Sequence, residues 1–152
     1  MLLLWKVRKA LLKSIGNVDD TLKEILMEDV MDCYPMEELE EALQIIESTI
    51  SKCEKIHPKF IEGSSQHTLL KNRIKALYIA KSFILHDDVL NRYSKEELTE
   101  ALKPISSIIS KCEKAQLKFK EGTFHHTRFK KIIEAMCISR SLITDEISKR
   151  LK

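Results

Sequence analysis

Glycine and proline are scarce in this chain, three of each among 152 residues. So few turn formers leave little material for β-hairpins, and the abundance of Leu, Ile, Lys and Glu makes an all-α fold the expectation. Four cysteines, Cys33, Cys53, Cys112 and Cys137, never form a Cys-x-x-Cys pair. That spacing favours reduced thiols in a cytoplasmic protein. Long apolar runs are also missing. Met1 to Trp5 is broken at once by Lys6, Arg8 and Lys9, too short for a signal core or a bilayer span. Charge of one sign is lacking as well: the net charge is +3, with acids and bases interspersed. A nucleic-acid face would set aromatics among basic residues, yet the row Lys52, Lys55, Lys59 is accompanied by Glu54 and Glu62, so no nucleic-acid partner is expected.

What the chain does contain is itself, twice. The stretch from Tyr34 to Asp87 recurs without gaps from Tyr93 to Glu146, at an offset of 59, with about half of the paired residues identical. Repetition at that period indicates a supersecondary unit.

Each unit carries two helical stripes. Leu39, Leu43, Ile46, Ile50 and Cys53 recur at steps of 4, 3, 4 and 3, as do Leu98, Leu102, Ile105, Ile109 and Cys112. This is the apolar face of an amphipathic helix. Ser94 with Glu97 forms a capping box, and Pro35 stands at the matching start. Both helices lead into Lys-Phe-x-Glu-Gly, at Lys59 to Gly63 and Lys118 to Gly122. The glycines are expected to close the helices in the left-handed conformation. Ser64 and Thr123 then cap second helices with stripes Leu70, Ile74, Leu77, Ile84 and Phe129, Ile133, Met136, Ile143. Pro104 predicts a kink, and Pro58 an early or irregular helix end.

Upstream, Gly16-Asn17 ends a first helix, and Asn17 or Asp19 caps a second reaching about Asp32. The expected fold is one domain over residues 1–152, an antiparallel helical bundle of about six helices: residues 1–33 supply two, and 34–92 and 93–152 a hairpin each. In that topology the bends at Gly63 and Gly122 emerge at one end.

The residues kept between the two units gather near those bends: Lys59, Glu62, His67 and Lys71 with Lys118, Glu121, His126 and Lys130. Together with Lys120, Arg128 and His125 they would favour an anion or an acidic partner at two helix N-termini. Against this, lysines at helix C-termini complement the dipole, and polar side chains in a first turn satisfy end amides.

Metal and catalytic chemistry fit poorly. Cys53 lies ten residues before Gly63, roughly 15 Å from the turn at about 1.5 Å per residue, whereas His67 stands only four residues beyond it, so the two cannot share one ion in a straight hairpin. Neither a metal nor another cofactor is expected. Ser64 or Ser65 with His67 has no third residue to orient the imidazole, and no glycine-rich phosphate loop follows a strand. The first helix, with Leu4, Val7, Leu11 and Ile15 opposite Lys6, Lys9 and Lys13, offers an alternative, peripheral membrane association with Trp5 as interfacial anchor.

The strings Tyr-Ser-Lys-Glu-Glu-Leu (from Tyr93), Ile-Ser-Lys-Cys-Glu-Lys (from Ile50 and Ile109), Lys-Phe-x-Glu-Gly, and the run from His67 to Leu77 resemble short bacterial helical-hairpin proteins with no assigned activity, usually one copy long. The resemblance covers 34–87 and 93–146. Pro58, Pro104 and Arg128-Phe129 depart from the pattern, and the resemblance implies no site residues. Fold class and basic charge also associate the chain with helical immunity proteins that act against bacteriocins. The reading is a non-enzymatic protein that binds a macromolecular, protein partner through the bend end.

Overall fold

The computed structural model describes residues 34–85 and 92–150. The helices expected around Gly16, Asn17 and Asp32 lie outside the described residues. Within them are four α-helices and no strand: α1 (Met36–Ile56), α2 (Ser65–Ile84), α3 (Lys95–Gln116) and α4 (Phe124–Arg150).

The stripes do what their spacing requires. Leu39, Ile46, Leu98 and Ile105 are at most 1% exposed, and Leu77, Ile84, Met136 and Ile143 are fully buried. These eight form four pairs 59 positions apart. Ile74, Leu102, Cys112, Ile132 and Ile133 pack against this core from its margin. α2 and α4 also meet across the diagonal of the bundle. Their buried small residues, Ala76 and Ala80 on α2 with Ala135 and Ser139 on α4, permit that closer approach.

Neighbouring helices run antiparallel throughout. Lys81 pairs with Glu47 between α1 and α2, Lys75 with Glu97 between α2 and α3, and Lys131 with Glu41 between α1 and α4. These exposed pairs fix register more than they stabilise. Between α3 and α4, Arg150 donates to the Tyr93 carbonyl oxygen at 2.6 Å and pairs with the buried Glu146 at 3.1 Å. That ties the end of α4 to the start of α3.

Helix starts follow the expected chemistry. The Ser94 hydroxyl accepts from the Glu97 amide at 3.1 Å and Ser64 from that of His67 at 3.2 Å. Thr123 accepts from His126 at 3.4 Å while donating to the Lys120 carbonyl. Only the hydroxyl half of the capping box forms, since the Glu97 carboxylate turns to Lys75.

Helix ends correct the sequence reading. α1 and α3 finish at Ile56 and Gln116, seven and six positions before the glycines. The chain tightens there into i→i−3 bonds, Phe60 to His57 and Phe119 to Gln116, which release the last α-turn. Pro58 lies inside the short 3-10 helix His57–Lys59. It is not what ends α1: Leu117 occupies the matching place in α3, and that helix stops within one residue of the same point. α3 runs on through Pro104 as one helix. The carbonyl left without a donor belongs to the exposed Glu100, which water can serve.

The glycines instead form the third position of tight turns, closed by Ser64 to Ile61 at 3.0 Å and Thr123 to Lys120 at 3.2 Å. Their φ values, +86° and +90°, are those a side chain opposes. A Cβ at either site meets nothing within 4 Å, so the cost is backbone strain alone. Gly63→Ala and Gly122→Ala are each expected to lower stability by about 1 kcal/mol, additively. Urea denaturation checks this, and an unchanged midpoint in both contradicts the assigned turn.

Candidate functional site

Both bends emerge at one end of the bundle. Lys52 near the end of α1 lines one groove with Phe124 and Thr127 at the start of α4. On the other side, the Arg73 guanidinium acts on the thiols of both Cys53 and Cys112, so the late turns of α1 and α3 stand level.

All eight sequence-predicted residues lie at this end. Lys59, Glu62, Lys71, Lys118, Glu121 and Lys130 are exposed, whereas His67 and His126 are half-buried. The first bend is braced by the His67 side chain and the second by the main chain of His126. The His67 ring stacks on His57 at 4.1 Å. Gln116, at the position matching His57, instead donates to the His126 carbonyl at 3.3 Å. Sequence reasoning passed over His57, although its spacing across the bend from His67 was the available signal. Its Nε2 is buried with no hydrogen-bond partner.

The expected pair of open helix N-termini is also modified. Ser64 and Thr123 already occupy the amides of His67 and His126, which leaves fewer donors for an anion.

What the spacing did not reveal is apolar. Of eight exposed large hydrophobic side chains among the described residues, seven lie at this end: Ile56, Phe60, Ile61, Leu69, Leu117, Phe119 and Phe124. Ile61 is 81% exposed, Leu117 87% and Phe124 76%. Around the second bend the rings gather, with His125 at 4.8 Å from Phe119 and 5.7 Å from Phe124, and Phe129 stacked on Phe119 at 6.0 Å.

Charge is segregated too. Residues 55–71 and 114–130 carry eight Lys and Arg against two Glu, a net of +6 where the whole chain carries +3. A linear reading averages this away, because acidic turns such as Glu37 to Glu41 lie close by in sequence but at the far pole.

The two grooves between the hairpins correspond. Twelve residues line the α2–α3 groove, and the position 59 away from each lines the α1–α4 groove. One departure is central: Arg73 in α2 is matched by Ile132 in α4.

No group of three or more His, Cys, Asp or Glu among the described residues could hold a metal ion. Burial pushes the Cys53 and Cys112 thiols above their ordinary value of 9.0, with Arg73 pulling the other way. The Tyr78 phenol is raised chiefly by its hydrogen bond to Glu54. For all three the folded state holds its proton more tightly than the unfolded chain. Their stabilising share is therefore fully present below the ordinary values, 9.0 for the thiols and 10.0 for the phenol, and is lost as pH rises through the higher values of the folded state. The urea midpoint is expected to fall between pH 8 and pH 10.5, and less steeply in Cys53→Ala/Cys112→Ala. Identical slopes in the two proteins contradict the burial of those thiols.

Among the described residues, no helix is long and apolar enough to cross a membrane. No protein family, curated protein or solved structure matches the chain.

Proposed function

We propose that this chain is a non-enzymatic helical interaction protein that binds an acidic protein partner in the cytoplasm through the end of the bundle where both bends emerge. The observation that carries the reading is the coincidence there of seven exposed large apolar side chains with a net charge of +6. Exposed apolar clusters rimmed by charge are a mark of interaction surfaces. The basic rim would steer an acidic partner, and the apolar tips would supply the buried contact.

In the same reading the chain is a tandemly duplicated hairpin of the kind seen singly in the bacterial proteins it resembles, extended by residues 1–33 to about six helices. The matched grooves and matched core pairs support that history. A role like that of a bacteriocin immunity protein is a special case of it, supported by fold class and charge alone.

Apolar tips beside lysines also fit an anionic bilayer. Glu62 and Glu121 oppose it, since each tip would carry a carboxylate into the interface. Charge reversal at Lys59, Lys118, Lys120 and Lys130 tests the reading without touching His67, whose ring braces the first bend. Loss of a specifically captured partner at unchanged melting temperature is expected. Unchanged capture, or flotation of the chain with anionic vesicles, counts against it.

A further inference from the structure

The α1–α4 groove continues toward the bends as a space of about 380 Å³, with Ile45, Ile132 and Phe124 as its apolar surface. Its charged lining residues are Lys52, Arg128 and Lys131, with no Asp or Glu among them. Lys131 reaches away to Glu41, which leaves Lys52 and Arg128 to set the sign of the opening. The opposite groove supplies an internal comparison. Where Phe124 and Arg128 stand in α4, α2 has Ser65 and Leu69, whereas toward the far pole both grooves carry a carboxylate pair, Glu97 and Glu100 in one and Glu38 and Glu41 in the other. An aromatic gate, with an arginine one turn behind it, is thus a feature of one groove only.

We propose that this upper α1–α4 groove is the seat for an acidic amphipathic helix of the partner, a deepening that rests on the binding reading above. The stretch of α1 from Gln44 to Lys52 rises about 12 Å, a little over two helical turns. A helix of that contact length presents apolar residues at i, i+3 or i+4, and i+7, the spacing by which helices enter grooves. Its outward carboxylates would then face Lys52 and Arg128, while the surrounding charge of the bend end steers the approach. A nucleic-acid strand is disfavoured by a largely aliphatic floor that offers few rings for stacking.

The probe is a labelled 14-residue peptide with leucines at that spacing and glutamates at the other positions, titrated into the full chain and read by fluorescence anisotropy. Saturable binding is expected. It should weaken at least tenfold in Phe124→Ser/Arg128→Glu, two exposed positions whose change leaves the circular dichroism and melting temperature intact. Ser65→Phe/Leu69→Arg, which copies the feature into the other groove, should add a second site. Equal binding of a peptide with lysines for glutamates overturns the proposal, as does displacement by a single-stranded oligonucleotide. So does binding that emerges only after Asp19, Asp20 and Glu24 are changed to lysine, for then residues 17–32 of this chain are the occupant. Partner capture that requires Ile61 and Leu117 but ignores Phe124→Ser/Arg128→Glu sinks the groove alone and leaves the bend-end reading standing.

Discussion

Truncating Ile46 to alanine is expected to cost about 2–5 kcal/mol, and truncating Ile105 to cost the same within about 1 kcal/mol. Both side chains are 0% exposed, and they stand 59 positions apart in α1 and α3. Removing three carbons from either leaves a void that helices packed on all sides cannot collapse. Against a total stability of about 5–15 kcal/mol for a domain, either change approaches unfolding at 37 °C. For a chain of this size it should lower the melting temperature by roughly 5–20 °C. The equality of the two losses carries the argument, because it follows from each hairpin giving the same residue to one shared core. A large loss at Ile46 with none at Ile105 in urea denaturation would mean that α3 and α4 do not complete that core.

The second large effect concerns binding. Ile61→Ser, Leu117→Ser and Phe124→Ser combined are expected to reduce partner affinity by a hundredfold or more, while the melting temperature stays within a few degrees. The asymmetry follows from exposure: these three side chains are 76–87% open, so they contribute little to folding, whereas apolar anchors at an interface centre cost about 2 kcal/mol or more each when truncated. Salt should act on the lysine variants more than on this one, since screening weakens steering by charge and leaves apolar burial largely intact. Affinity measured by titration at two ionic strengths separates the contributions. A folded triple variant that binds as the wild type does would show that the tips are merely exposed.

Much of this architecture was legible in the residues because helices write their buried face at a fixed spacing. The stripes through Ile46 and Ile105 and the caps at Ser64 and Ser94 appear where local hydrogen bonding and burial act together. The helix ends were not legible. Gly63 and Gly122 mark the bends, yet α1 and α3 stop seven and six positions earlier, where a shift to i→i−3 bonding depends on backbone tightening that side-chain identity barely records. The eight polar candidates lie at one pole, because antiparallel hairpins bring like bends together. The apolar tips escaped notice, because a lone Ile61 or Leu117 in a sequence reads like any other hydrophobic residue until its solvent exposure is known. The net +6 escaped for a related reason: charges sum over space, and the acidic start of α1 is close to the bend in sequence but a helix length away in the fold.

Photo-crosslinking tests the central claim most directly. A benzophenone amino acid placed at Ile61, at Leu117, or at Thr144 toward the far end of α4 reports which pole meets the partner. Adducts to one and the same protein from both Ile61 and Leu117, with none from Thr144, are the predicted result. Adducts from Thr144 alone, or to different proteins from the two bends, would contradict a single contact surface.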